Sequence, residues 1–125
     1  MATLNEGNVV WAQNAPVLIL TLAQLYEYPG KEYNSFYDVG MAVGNLVTQA
    51  VHLGLMTHQM GGFDADKARA SLNIPDGYQP LTMIALGYSD APDTLPEPLR
   101  ERELAPRSRK TQEEFVFHGR WNSES

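Results

Sequence analysis

Residues 39–63, VGMAVGNLVTQAVHLGLMTHQMGGF, form a stretch of 25 residues without a single Asp, Glu, Lys or Arg. In a chain of 125 residues with a formal net charge of −6, so long an uncharged stretch indicates the interior of the fold. Its apolar residues keep helical spacing until Gly54, a residue type that commonly ends a helix. A short strand, Leu55–Met60, and a turn at Gly61-Gly62 are predicted to follow.

Length and composition predict one globular domain, residues 1–125. The absence of cysteine excludes disulfides, thiolate metal sites and thiol catalysis, and it agrees with a cytoplasmic location. The net negative charge disfavours nucleic acid as a partner. Polar side chains interrupt the uncharged stretch and no Lys or Arg flanks it, so no membrane span is expected.

Before the uncharged stretch, the sequence predicts a short helical turn, a strand and a loop. Asn8 is a candidate N-cap for the turn, and the apolar run Val17–Leu22 is typical of a strand covered on both faces. The segment Tyr26–Asn34, with a turn at Pro29-Gly30, is predicted to be the loop. Asn34 or Ser35 would then cap the long helix.

After the stretch, Asp64 is predicted to cap a second helix, Ala65–Leu72. Leu81–Tyr88 is predicted as the third strand. A last strand, Glu114–His118, has no hairpin partner in the sequence, so pairing with the sheet edge of another subunit is one expectation. Strands that alternate with helices predict an α+β fold with a mixed sheet covered on both faces.

A search for catalytic side chains and metal ligands finds none. No serine lies in a nucleophile-elbow context, and His52 and His58 do not have a zinc-binding spacing. Phosphate-loop and dinucleotide-binding glycine motifs are also missing. No catalytic side chain and no metal site are therefore predicted.

Two features remain that are suited to a flat anionic cofactor. Met60-Gly61-Gly62 would let backbone N–H groups approach a ring edge, because glycine has no Cβ. Arg107-Ser108-Arg109 places two guanidinium groups on one side of an extended segment, where they could hold a phosphate. Taken alone, each has a plainer interpretation, since Gly-Gly is often only a turn and Arg-x-Arg is often only a solvated surface.

The order of several motifs is much more specific. From Asn8 to Trp121 the chain resembles the C-terminal part of the flavin-dependent nitroreductase family. The segments that carry the resemblance are Asn8-x-x-Trp11, Ala15-Pro16-Val17-Leu18-Ile19, Asp38 to Leu46, Ala50 to Leu55, Gln59-Met60-Gly61-Gly62-Phe63-Asp64, Ile74 to Gly77, Ile84 to Tyr88, Arg107-Ser108-Arg109-Lys110, Glu114 to Phe117 and Gly119-Arg120-Trp121.

The resemblance implies a three-layer α/β/α sandwich with a mixed, mostly antiparallel sheet and a C-terminal strand exchanged in a homodimer. Residues 105–125 would form an extended tail that packs on the partner subunit. It also implies FMN at the subunit interface and a ping-pong oxidoreductase, in which NAD(P)H reduces FMN and the flavin then reduces a small-molecule acceptor such as a nitroaromatic or a quinone.

The resemblance also implies the residues of the cofactor site. The N–H of Gly61 would lie near flavin N5, within the Gly61-Gly62 turn, and Gln59 and Met60 would line the same edge. Arg107 and Arg109, with Ser108 between them, would hold the phosphate. Family members also carry an N-terminal Arg-x-Ser-x-Arg stretch, which this sequence lacks, so the chain is expected to be truncated at its N-terminus.

Three functional hypotheses follow from the sequence. The chain is an FMN-dependent oxidoreductase of the nitroreductase type, a dimeric remnant that folds without flavin and catalyses nothing, or a binding module whose cleft holds another small planar anion. Flavin uptake distinguishes the first hypothesis from the other two.

Overall fold

The structure, a computed structural model, describes residues 3–25 and 32–121. The chain divides into two units, Met1–Asp90 and Ala91–Ser125. The elements described in the first unit are α1 (Glu6–Ala12), β1 (Val17–Gln24), α2 (Glu32–His52), β2 (Met56–Met60), α3 (Ala65–Leu72) and β3 (Tyr78–Gly87). Those of the second unit are α4 (Leu99–Leu104) and two 3₁₀ turns, Pro92–Thr94 and Gln112–Glu114.

The sheet of the first unit has the strand order β1-β3-β2. Both pairings are antiparallel, with Ile19 opposite Ile84 and Met60 opposite Met83. The prediction of a mostly antiparallel sheet is thus confirmed, although no parallel pairing occurs among residues 3–25 and 32–121. The central strand, β3, carries Ile84, the largest side chain without exposed surface among the described residues.

Helices cover both faces of the sheet. On one face, Met60, Met83 and Ala85 form a core cluster with Leu4 and Ala12. Side chains alternate between the two faces of a strand, so Ile84 lies on the opposite face. Helix α2 packs against β1 and β2 and covers that face. The resulting α/β/α arrangement confirms the fold class predicted from the sequence.

A β-bulge interrupts the pairing of β1 with β3. The register shifts between Thr21, opposite Thr82, and Leu22, opposite Pro80, so Leu81 has no partner on β1. Proline cannot donate a ladder hydrogen bond, and a bulge is one of the few places where a central strand tolerates it. The Thr21 hydroxyl bridges the irregularity, because it donates to the Thr82 carbonyl and accepts from the Thr82 N–H, each at 3.1 Å.

Two predicted helix caps are wrong. Asn5, rather than Asn8, caps α1, and its side chain accepts a hydrogen bond from the N–H of Asn8 at 2.9 Å. Helix α2 already begins at Glu32, so Asn34 and Ser35 lie inside it. The buried Ser35 hydroxyl donates to the carbonyl of Gln24 at 2.5 Å and thereby joins α2 to the end of β1. The predicted Pro29-Gly30 turn lies outside the described residues.

Of the predictions for the residues after β2, that of helix α3 is confirmed and that of the last strand is wrong. Helix α3 has the predicted bounds and the predicted cap, Asp64, whose carboxylate accepts from the N–H of Lys67 at 2.9 Å. The predicted strand Glu114–His118 is wrong for the chain by itself, because its first residue belongs to a 3₁₀ turn. That turn is stabilised by a reciprocal capping box between Thr111 and Glu114. Exchange of this segment between subunits, and the single domain over residues 1–125, stay predictions.

Candidate functional site: a glycine corner at the end of β2

The residues after β2 form a tight corner whose carbonyl groups are all bound to the protein. The Met60 carbonyl accepts from the Thr82 hydroxyl at 2.9 Å. The Gly61 carbonyl accepts from the N–H of Phe63 at 3.1 Å, which closes a γ-turn centred on Gly62. The Gly62 carbonyl accepts from the N–H of Asn5 and from the side-chain amide of Asn8, both at 3.1 Å. We call Gly61-Gly62 the glycine corner.

The N–H groups of Gly61 and Gly62, in contrast, have no hydrogen-bond partner among the described residues. For Gly61 the sheet explains this. Both backbone groups of Thr82 bond to Thr21 on β1, and successive residues of an antiparallel strand point alternately to their two neighbours. Met83 therefore bonds to Met60 on β2, and Gly61, the next residue, directs its N–H away from the sheet.

The two glycines differ in what surrounds the missing side chain. A Cβ atom added to Gly61 would meet no heavy atom within 4 Å. A Cβ atom added to Gly62 would collide with the side-chain amide of Asn5 and would lie 2.9 Å from the amide nitrogen of Asn8. Gly62 is thus required by packing inside the chain, whereas at Gly61 the space is open to a ligand.

An open groove of about 490 Å³ runs past the glycine corner. It lies between the start of α1 and the start of α3, and the ion pair between Lys67 and Asp64, 3.3 Å apart, stands at its rim. The lining residues are Thr3, Leu4, Asn5, Glu6, Gly61, Gly62, Phe63, Asp64 and Lys67. Small-molecule sites occupy roughly 300–1,000 Å³, so the groove has the size of a ligand site.

The other predicted site residues lie in two places. Gln59 is exposed on β2, and Met60 is 3% exposed with its side chain in the core, so Met60 presents only its backbone at the corner. Arg107, Ser108 and Arg109 are exposed in the second unit. Arg109 donates to the Ser108 carbonyl at 2.7 Å, and Arg107 lies 3.8 Å from Glu103. Such weak local contacts leave both guanidinium groups available to an anion.

Sequence reasoning missed three residues that build the corner: Asn5, Asn8 and Thr82. The sequence around Asn8 predicts a helix cap, whereas its side-chain amide spans 54 positions and donates to the carbonyl of Gly62. Thr82 lies in an apolar strand pattern that contains no signal for its bond to Met60. The one available clue was the recurrence of asparagine three residues apart before an apolar helical turn, which allows one cap and one spare amide.

Asp64, at the rim of the groove, is held in its charged form. The backbone N–H of Lys67 is the main cause that lowers the pKa of Asp64 below its ordinary value of 3.8, and the Lys67 ammonium group acts in the same direction against the effect of desolvation. The groove therefore contains a carboxylate that stays ionised near neutral pH.

Because the folded-state pKa of Asp64 is lowered, its charge stabilises the fold above the ordinary pKa and ceases to do so as the pH falls through the lowered pKa. We expect the difference in unfolding free energy between the native chain and the Asp64→Asn variant to be constant at neutral pH. It should shrink as the pH falls below the ordinary pKa of 3.8, in urea titrations repeated at successively lower pH. A difference that stays constant as the pH falls below the ordinary pKa would contradict the assignment.

Among the described residues, no group of three or more His, Asp or Glu side chains is arranged to hold a metal ion. Within the same residues, no helix is long and apolar enough to cross a membrane.

Comparison with known proteins places this fold and corner in a family. The model of the nitroreductase family matches residues 2–88. The chain belongs to the nitroreductase family. This confirms the resemblance drawn from the sequence.

Two of its relatives are similar over nearly the whole chain. An uncharacterized 15.4 kDa protein in the ask 5′ region of Mycolicibacterium smegmatis is 36% identical over 120 residues, which cover 96% of this chain and 80% of that protein. The crystal structure of an oxidoreductase containing FMN superposes with a TM-score of 0.85 and 32% identity, over 98% of this chain. This chain spans 64% of the length of that oxidoreductase.

A third relative shares the fold. The nitroreductase family protein from Streptococcus pneumoniae TIGR4 superposes with a TM-score of 0.70 at 18% identity, over 93% of this chain and 70% of that one.

Proposed function

We propose that the chain is an FMN-dependent oxidoreductase of the nitroreductase type. The observation that carries the proposal is the glycine corner, where two consecutive backbone N–H groups are unpaired among the described residues and Gly61 is open to a ligand. The proposal is supported by membership of the nitroreductase family and by the similarity to an oxidoreductase containing FMN over 98% of this chain. The NAD(P)H co-substrate, the ping-pong order, the nitroaromatic or quinone acceptors and the cytoplasmic location are parts of the same proposal.

The residues at the corner fit the ring of a flavin. A flavin ring edge carries nitrogen and oxygen acceptors, and the free N–H groups of Gly61 and Gly62 are donors without charge. In this proposal Gln59 and the Met60 backbone border the same edge, and Arg107, Ser108 and Arg109 hold the phosphate. Bound FMN supplies the two-electron redox chemistry, for which the chain needs no catalytic acid or base.

The ion pair between Asp64 and Lys67 agrees with a site that has no catalytic acid or base. The backbone N–H and the ammonium group of Lys67 hold Asp64 as a carboxylate, so Asp64 has no proton to donate at neutral pH. The positive charge of Lys67 balances the negative charge of Asp64. The chain would therefore orient the ring through backbone donors, and the electrostatic field at the ring would be weak on the side of α3.

A homodimer is the second part of the proposal. Helix α2 leaves an apolar stripe exposed, with Tyr37 at 68%, Met41 at 55% and Val51 at 61% of full exposure. These residues are 4 and 10 positions apart, so they lie on one face of the helix. Gly40 and Gly44 on the same face would let a second backbone approach closely. We propose that a second copy of the chain covers this stripe, with residues 105–125 of each copy packed on the other.

The Met41→Glu variant tests the dimer. A carboxylate on the covered stripe would have to be desolvated, so we expect dimers in light scattering for the native chain and monomers for the variant. Glu101→Gln, an exposed substitution on α4 outside the stripe, is the control for the effect of a surface substitution and should stay dimeric. Dimers of both the native chain and Met41→Glu would place the subunit contact elsewhere, and a monomeric native chain would contradict the homodimer.

Redox activity is tested directly on the purified protein. After addition of FMN under anaerobic conditions, NADH or NADPH should bleach the flavin absorbance at about 450 nm faster than it does with free FMN alone. Binding of FMN without accelerated bleaching would leave a flavin-binding module. Failure to bind FMN at all would favour the flavin-free dimeric remnant or the module for another planar anion.

A further inference from the structure

We propose that Thr82 and Asn8 are positioning residues of the flavin site, which set the direction of the two free N–H groups at the glycine corner. The inference rests on the proposed function. Neither residue lines the groove. Each acts through a carbonyl of the corner, from a different element: Thr82 lies on β3 and Asn8 on α1.

The planarity of the peptide bond couples each carbonyl group to the N–H of the next residue. The C=O of one residue and the N–H of the next belong to one rigid plane and point in opposite directions. A hydrogen bond that holds the carbonyl therefore also fixes the direction of the N–H on the other side of the plane. At the glycine corner, the carbonyl groups of Met60 and Gly61 share their peptide planes with the two free N–H groups. Both carbonyl groups accept hydrogen bonds within the chain.

Thr82 fixes the first plane together with Met83, which bonds to Met60 in the sheet. Its hydroxyl donates to the Met60 carbonyl at 2.9 Å, and that carbonyl shares its peptide plane with the N–H of Gly61. Thr82 is itself held, because its N–H and its C=O both bond to the Thr21 hydroxyl on β1. The direction of the Gly61 N–H is thus tied to the middle of the sheet.

Asn8 fixes the second plane, that of the Gly61 carbonyl and the Gly62 N–H, through the neighbouring peptide plane of Gly62 and Phe63. Its side-chain amide, together with the N–H of Asn5, holds the Gly62 carbonyl at 3.1 Å. That carbonyl shares a plane with the N–H of Phe63, which donates to the Gly61 carbonyl. The Gly61 carbonyl in turn shares a plane with the free N–H of Gly62. Loss of the Asn8 amide would loosen this chain of bonds at its outer end.

Each anchor has an isosteric variant and a matched control. Thr82→Val keeps the shape and removes the hydroxyl. Thr57→Val makes the same change on β2, where no hydrogen bond of the hydroxyl occurs among the described residues. Asn8→Asp replaces the donor by a carboxylate that repels the Gly62 carbonyl. Gln13→Glu makes the same change of charge at the other end of α1, on a side chain whose one hydrogen bond among the described residues goes to the Val10 carbonyl.

The experiment measures the dissociation constant of FMN and the midpoint potential of the bound flavin at saturating FMN. We expect Thr82→Val and Asn8→Asp each to weaken FMN binding roughly tenfold, the effect of one hydrogen bond, and both controls to bind as the native chain does. Thr82→Ser, which keeps the hydroxyl, should restore the native affinity.

The potential separates a positioning role from a merely structural one, because it is measured on protein that is fully loaded. An N–H donor at a ring nitrogen favours the oxidised ring, in which that nitrogen accepts a hydrogen bond, over the reduced ring, in which it carries a proton. Misdirection of the Gly61 N–H in Thr82→Val should therefore raise the midpoint potential. A tenfold loss confined to the oxidised form corresponds to about 30 mV for a two-electron couple.

Four outcomes are informative. Weaker binding in both anchor variants, with a raised potential in Thr82→Val, a shifted potential in Asn8→Asp and no change in either control, supports the inference. Native affinity and potential in Thr82→Val and Asn8→Asp overturn it, while the proposed function stands. No FMN binding by the native chain overturns the proposed function and the inference with it. If one anchor variant does not fold, the other decides, because Thr82 and Asn8 hold different carbonyls.

Discussion

Replacing Gly62 with valine is expected to destabilise the fold by roughly 3 kcal/mol, a large fraction of the stability of a small domain. The new side chain would collide with the amide groups of Asn5 and Asn8. It would also displace the hydrogen bonds that both residues make to the Gly62 carbonyl. The start of α1 would then separate from the corner, and urea titration followed by circular dichroism should record the loss.

Gly61→Val is the matched control in the neighbouring position. No heavy atom lies within 4 Å of an added Cβ atom at Gly61, so the unfolding free energy should change by no more than about 0.5 kcal/mol. Equal destabilisation by the two variants would show that the corner is not divided into one packed glycine and one open glycine.

Removing both guanidinium groups with Arg107→Ala and Arg109→Ala is expected to weaken FMN binding roughly a hundredfold or more. A hydrogen bond to a charged group contributes about 1.5–3 kcal/mol, or roughly 10–100-fold in affinity. Both side chains are exposed, and the contact of Arg107 with Glu103 at 3.8 Å is a weak surface pair, so the fold should not suffer.

Riboflavin, which has the ring of FMN and no phosphate, supplies the contrast for this experiment. The double variant should bind riboflavin as the native chain does, because in the proposed site the arginines contact only the phosphate. The control variant Arg102→Ala removes an exposed guanidinium group outside residues 105–125 and should bind FMN normally. Weakening of both ligands by the same factor would assign the arginine pair to the fold rather than to the phosphate.

The sequence predicts local structure well where one residue decides it. Asp64 has the side chain to cap a helix and Leu72 is its last apolar residue, so the bounds of α3 follow from the sequence. The uncharged stretch likewise predicts the body of α2 and the corner after β2. The start of α2 at Glu32 could not be predicted, because Ser35 uses its hydroxyl on Gln24 rather than as a cap.

Contacts between distant segments account for the remaining errors. Two asparagines three residues apart can each cap a helix, and only the position of the Gly62 carbonyl decides that Asn5 does so and Asn8 does not. The segment after Thr111 has the β-branched and aromatic residues of a strand, yet its capping box closes a 3₁₀ turn. A strand also requires a neighbour to bond to, which the composition of a segment does not supply.

Titration of FMN into the native chain and into Gly61→Val, followed by quenching of flavin fluorescence, tests the central claim most directly. We expect saturable binding to the native chain and roughly hundredfold weaker binding to Gly61→Val, since two backbone donors are lost to the ring while the fold is unchanged. Equal affinity of FMN for the two folded proteins, or no binding to either, would contradict it.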